Sequence, residues 1–259
     1  MEQHIAEQPQ TYKARPARAI WVMVYSIAST AKHCLLTLYH AFFSKKDPVK
    51  LRRKVDGVIY RWALSLVKAV KLNWVVKGDF ESQIKPERCI IILSNHSSAY
   101  DIPLLFAALP GSIRMISKKE LFKIPLLSRA MKAAEILSID RQNRLQAMKD
   151  LAVAKEKMES GIRICMFPEG TRSETGELLP LKKGAIRLAL DTDALIIPVA
   201  IQDIHQILPN KKWLQMQLKQ KVRINVGQAI DCKNFDVEDR NELRDKVYNS
   251  LKTLLNDRS

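Results

Sequence analysis

Two short stretches hold the residue types that chemistry needs. In Cys89-Ile-Ile-Ile-Leu-Ser-Asn95-His96-Ser97-Ser98-Ala99-Tyr100-Asp101 an apolar run stops abruptly at polar residues, and a histidine precedes an aspartate by five positions. A carboxylate on one imidazole nitrogen fixes the tautomer and leaves the other nitrogen free to take a proton. Neighbours on one helix face are three or four residues apart, so a spacing of five predicts His96 in a turn and Asp101 in the first helical turn after it. Standing alone, the stretch is better read as a loop histidine followed by a first-turn acid favoured by the helix dipole. The second stretch is Phe167-Pro168-Glu169-Gly170-Thr171-Arg172-Ser173, which offers a carboxylate, a guanidinium and hydroxyls in one loop. Proline ends the preceding apolar run, and Gly170 permits a tight or positive-φ turn. The Arg172 fork suits a phosphate. Alone, this loop reads equally as a structural turn with an internal Glu–Arg pair.

Two further cations stand where strands are predicted to end. Lys118 follows Ile113–Ile116, and Arg141 follows Ile136–Ile139. Ligands in open α/β sheets bind beyond the carboxyl ends of the strands, the edge assigned to His96. In so basic a chain a lone lysine is more often plain surface charge. Ile196-Ile197-Pro198-Val199-Ala200 reads as a buried structural strand, its proline placed at a strand end or in a wall of the site.

The elements that position these residues follow from pattern. From Trp74 onward, short apolar runs alternate with helical stretches. Strands are predicted at Trp74–Lys77, Cys89–Leu93, Ile113–Ile116, Ile136–Ile139, Ile162–Phe167, Leu195–Ala200 and Val222–Val226. Helices are predicted at Lys119–Ala133, Gln142–Glu159, Lys183–Leu190 and Glu238–Leu255. Such alternation implies the α/β class, a largely parallel sheet flanked by helices. Residues 73–259 form that domain in this reading. Residues 1–19 form a polar, mobile tail, and residues 20–72 a helical appendage that associates with a membrane.

The appendage has two parts. Ile20–Phe43 is apolar with aromatics towards its ends, but Lys32 and His33 split it into pieces shorter than the roughly 18 residues that suggest a span. A helix lying in one leaflet is therefore at least as good a reading as a tilted span. Ser44–Lys77 carries ten Lys/Arg against two Asp, half of the chain's net charge of +16. Val55, Ile59, Trp62, Leu66 and Val70 form a stripe on that basic helix, read here as facing the membrane, with a packed helix as the commoner alternative. Each Lys or Arg near an anionic leaflet contributes about 1 kcal/mol. Nucleic acid is the weaker partner, since no reader motif accompanies the charge. The four cysteines are dispersed and the five histidines form no ligand-spaced cluster, so reduced thiols and no zinc site are expected. No P-loop, GxGxxG or GxSxG is present.

In their order, these stretches resemble the glycerolipid acyltransferase family, best known for the 1-acyl-glycerol-3-phosphate acyltransferases. Its NHxxxxD block matches Asn95, His96 and Asp101, and its FPEGTRS block matches Phe167 to Ser173 unchanged. Its KxxLxxxP-then-IDR region matches Lys118, Leu121, Pro125 and Ile139-Asp140-Arg141, and its last apolar block matches Ile197-Pro198-Val199-Ala200. The chain departs from the pattern at Ser97, Ser128, Glu135 and Ser138. Glu135 replaces a glycine and adds a carboxylate beside the expected phosphate pocket, which leaves the acceptor headgroup open.

The resemblance implies acyl transfer from a thioester, acyl-CoA or acyl-carrier protein, to the hydroxyl of a lysophospholipid, 1-acyl-glycerol-3-phosphate first. His96 would be the general base and Asp101 its orienter. Arg172, Lys118 and Arg141 would hold the acceptor phosphate, and Asn95 or backbone N–H groups the oxyanion. Glu169 would contact the acceptor or orient Arg172, with Gly170 and Thr171 in the same binding loop. No metal or cofactor is implied beyond the acyl-carrying co-substrate, and no covalent acyl-enzyme. The expected partners are an anionic membrane surface and the two substrates, without nucleic acid; the expected location is a membrane with the site facing the cytoplasm, the inner one in a bacterium. Lysophosphatidylethanolamine, lysophosphatidylglycerol and lyso-ornithine lipid are rival acceptors. A thioester hydrolase and a non-catalytic basic membrane- or nucleic-acid-binding protein are rival classes.

Overall fold

The computed structural model describes residues 12–44, 46–138, 144–208 and 213–258. In chain order the elements are β1 (Tyr12–Lys13), α1 (Pro16–Phe43), α2 (Pro48–Ala69), β2 (Asn73–Lys77), β3 (Ile90–Ser94), α3 (Asp101–Ala108), β4 (Ile113–Ser117), α4 (Pro125–Ala133), β5 (Leu137–Ser138), α5 (Arg144–Glu159), β6 (Arg163–Met166), α6 (Lys183–Asp191), β7 (Leu195–Gln202), β8 (Gln217–Leu218), β9 (Lys221–Val226), β10 (Ile230–Asp231) and α7 (Arg240–Asn256). The main sheet runs β2-β9-β7-β3-β6-β4-β5, with β10 added against β7. All neighbours along it are parallel except β7 and β9.

The β-branched run at β3 decides the layering. Side chains alternate across a strand, so Ile90 and Ile92 join one buried cluster while Ile91 and Leu93 join the other. The first cluster lies under α1, α2 and α3, through Ala19, Val22, Ala63, Leu66, Val67, Leu104 and Leu105. The second lies under α5, α6 and α7, through Met158, Ile186, Leu188, Leu243, Val247 and Leu251. Both faces of the sheet are thus covered, as parallel strands require.

Several expectations change. The N-terminal helices pack on one face of the sheet and share its core. α1 begins at Pro16, and Tyr12–Lys13 pairs with β8, so the part of the expected mobile tail from Tyr12 on is ordered; residues 1–11 lie outside the described residues. The stripe on the basic helix α2 faces inward: Val55, Leu66 and Val70 are buried, with Ile59 and Trp62 packed on the core. The helix predicted over Lys119–Ala133 is broken. A 3₁₀ turn covers Lys119–Lys123, Ile124 is extended, and Pro125 opens α4, because a proline restricts the residue before it to extended backbone. Pro198 sits inside β7, beside Leu93 of β3. Its own carbonyl accepts from Gly227 on the opposite edge, so its missing N–H falls between the β10 and β9 pairings, where no ladder bond is lost. Cys34, Cys165 and Cys232 are buried and Cys89 is half-buried; all four are unbridged.

Candidate active site

Strands β3, β6 and β4 are adjacent and parallel, with Ile92, Cys165 and Met115 level with one another. The residues that follow each strand therefore emerge on one rim: the turn at 95–100, the loop from Phe167, and Lys118. Lys118 is two strand spacings, about 10 Å, from the column that carries His96. Lys118 is exposed and Arg172 half-buried, and neither has a protein hydrogen bond or ion pair among the described residues.

At the end of β3 the chain turns into α3. Asp101, fully buried in the first helical turn, uses one oxygen for three bonds. It receives His96 Nδ1 at 2.6 Å and the backbone N–H groups of Ser97 and Ser98 at 2.8 and 2.9 Å. Burying a carboxylate is costly unless donors surround it; here they also fix where the imidazole stands. With Nδ1–H given to Asp101, Nε2 carries the lone pair. His96 retains 17% exposure.

The second loop folds onto this turn. Ser173 N–H donates to the His96 carbonyl at 2.7 Å. Glu169, buried, accepts from the N–H of His96 at 2.6 Å and from that of Leu179 at 2.8 Å. Burial pushes the Glu169 carboxyl up to about 7, against the lowering effect of those two bonds. Phe167 stacks on the imidazole, with ring centroids 4.0 Å apart and planes within 11°. Gly170 takes φ +75° at the bend, the left-handed region that favours glycine. Thr171, next to it, is exposed.

The structure thus brings His96, Asp101, Glu169, Gly170, Thr171, Arg172 and Lys118 to one rim, with two changes of role. Asn95 is not open to an oxyanion. It is buried, and its amide bridges β7 by donating to the Ile201 carbonyl at 3.0 Å and accepting from the Ile201 N–H at 2.7 Å. Glu169 binds backbone N–H groups, and neither bond reaches Arg172. Arg141, with Ile139 and Asp140, lies outside the described residues. Sequence reasoning missed the Phe167 stack and the N–H donors of Ser97, Ser98 and Leu179. Only the aromatic opening of the FPEGTRS stretch signalled the first, and backbone donors leave no trace in residue types.

Glu135, the unexpected carboxylate, is already occupied. Arg52 grips it through two nitrogens at 2.8 and 2.9 Å, and Lys157 adds a third bond at 3.0 Å. Burial opposes its charge, but the bonds from Arg52 and Lys157 outweigh that and hold the carboxyl down at about 2. Its φ of +57° is the conformation a glycine adopts without strain. The side chain staples α2 and α5 to the end of α4.

Residues 76–202, which contain every one of these side chains except Arg52, match the sequence profile of the family described as Acyltransferase. This stretch is an Acyltransferase-family domain. The chloroplastic 1-acyl-sn-glycerol-3-phosphate acyltransferase LPAT1 of Arabidopsis thaliana is 29% identical over 247 residues, 94% of this chain and 67% of its own. The human 1-acyl-sn-glycerol-3-phosphate acyltransferase beta is 30% identical over 172 residues, 66% of this chain and 61% of its own. The chain therefore spans about two thirds or less of these curated relatives. The crystal structure of the 1-acyl-sn-glycerophosphate acyltransferase PlsC of Thermotoga maritima superposes with a TM-score of 0.75 at 27% identity, covering 93% of this chain and 95% of that one. The mixed, mostly parallel sheet flanked by helices is like that of this neighbour, and this chain carries an apolar N-terminal helix.

Proposed function

We propose that the protein transfers a fatty acyl group from a thioester, acyl-CoA or acyl-carrier protein, to the free hydroxyl of 1-acyl-glycerol-3-phosphate, giving phosphatidic acid. The observation that carries this reading is the His96–Asp101 pair, with Nε2 unpartnered among the described residues, on the same rim as Arg172 and Lys118, which have no partner among those residues either. Nε2 takes the hydroxyl proton as the acceptor oxygen bonds to the thioester carbonyl carbon. The imidazolium, held by Asp101, then protonates the departing thiolate. General base catalysis of this kind typically contributes about 10² to 10⁴ in rate. Arg172 and Lys118 hold the acceptor phosphate and so fix its hydroxyl against the carbonyl.

Membrane association belongs to the same reading. The face of α1 opposite the core exposes Ile20, Trp21, Val24, Ile27, Leu35, Tyr39, Phe42 and Phe43. Leu121 and Ile124, directly beyond Lys118 on the rim, are exposed as well. The other face of α1 is buried from Ala19 to Thr37. A helix packed on its own domain along that length lies along a leaflet and does not cross it. The chain's charge of +16 suits an anionic surface, and a site at that level meets both lipids where they reside.

A panel of lysolipids with labelled acyl-CoA tests the acceptor. Lysophosphatidic acid is expected to be acylated in preference to lysophosphatidylethanolamine, lysophosphatidylglycerol and lyso-ornithine lipid. Equal use of a zwitterionic acceptor contradicts the phosphate assignment, and fatty acid release without lysolipid points to a hydrolase. Glu135 is no obstacle to a phosphate, since Arg52 and Lys157 already neutralise it.

A further inference from the structure

The parallel stack of Phe167 on His96 is the least expected contact in the site. Aromatic rings in contact add an attraction beyond the area they bury. Here the planes differ by 11° at a centroid separation of 4.0 Å. The contact strengthens when the imidazole is charged, since the phenyl face then meets a cation well within the roughly 6 Å over which that attraction acts. We propose that Phe167 is a positioning residue for catalysis, acting through His96 to stabilise the imidazolium that exists only while the acyl group is in transit.

This inference rests on the acyl-transfer reading and adds a residue to it. In the step concerned the acceptor O–H bond breaks, an Nε2–H bond forms, and the new C–O bond replaces the thioester C–S bond as Nε2 returns the proton to sulfur. Positive charge resides on His96 between those proton transfers. An interaction stronger in that state than in the resting enzyme accelerates turnover without tightening substrate binding. Four groups among the described residues face the imidazole or its backbone, one of them the Ser173 N–H on the His96 carbonyl. Asp101 from α3 bonds Nδ1, Glu169 from the loop after β6 bonds the His96 N–H, and Phe167 covers one ring face. The two carboxylates and Ser173 hold the edge and the backbone; among the described residues only Phe167 stacks on a face.

The test compares Phe167→Leu and Phe167→Met with Phe167→Tyr in the full-length protein. The two aliphatic variants are expected to lower kcat by about 3- to 30-fold with KM unchanged. The acidic limb of the rate profile is expected to move to lower pH, because the charged ring has lost its support. Phe167→Tyr restores both. Titration of labelled histidine by NMR needs no turnover, so it decides the stacking claim even if the acyl-transfer reading fails: the His96 ring should lose its proton at a lower pH in the aliphatic variants. Unchanged kcat and ring titration overturn the proposal. So does a loss of kcat with an unmoved titration, which would reduce Phe167 to packing.

Discussion

Glu169 lies in the loop beside His96, yet its two oxygens are spent on the backbone N–H groups of His96 and Leu179. It ties the turn after β3 to the loop after β6, and so keeps His96 and the loop that carries Arg172 together. Its carboxyl is raised by burial to about 7 from an unfolded value near 4.5. Between those values the folded protein holds a proton that the unfolded chain has released. This group's contribution to stability is therefore lost as pH rises through that window, with a slope of up to about 1.4 kcal/mol per pH unit. Glu169→Gln is expected to abolish that slope. It also leaves one N–H facing an amide NH₂, at a cost of about 1–3 kcal/mol. Urea unfolding of both forms from pH 4.5 to 7 measures this; a stability difference that stays constant with pH contradicts the assignment. At this scale the sequence was only half legible. His96 and Asp101 could be paired from their spacing, whereas Asn95 and Glu169 looked like ligand groups because polarity does not tell whether a side chain's partner is substrate or backbone.

Among the elements, the parallel strands β3, β6 and β7 were readable because each is apolar on both faces. The order of the sheet, which brings the loops after β3 and β6 together, was readable only as the general rule about strand ends. Three of the four two-residue strands, β1, β8 and β10, lie outside the predicted apolar runs, too short to show a period, whereas β5 falls within one. The apolar stripe of α2 was legible but its direction was not, since a stripe packs on a core or a membrane equally well. Its neighbour resolves the matter: α1 places small and polar residues such as Ala19, Ser29 and Thr37 inward and leaves its aromatics outside. Converting Trp21, Tyr39, Phe42 and Phe43 to serine is accordingly expected to reduce flotation with anionic vesicles severalfold while the fold survives, because none of these four lies in the core. Undiminished flotation would place the membrane contact elsewhere.

Over the whole molecule, one rim of one sheet carries His96 with Asp101, the cations Arg172 and Lys118, and exposed apolar residues. The clamp of Arg52 and Lys157 on Glu135 ties α2 and α5 to the end of α4. The claim on which the rest depends is that His96 performs the proton transfer on that rim. Its most direct measurement is the rate of acyl transfer from labelled acyl-CoA to lysophosphatidic acid by purified His96→Ala, with its folding checked by circular dichroism. A folded variant whose kcat has fallen by about 10²-fold or more is the expected result. A folded variant turning over near the wild-type rate would contradict it.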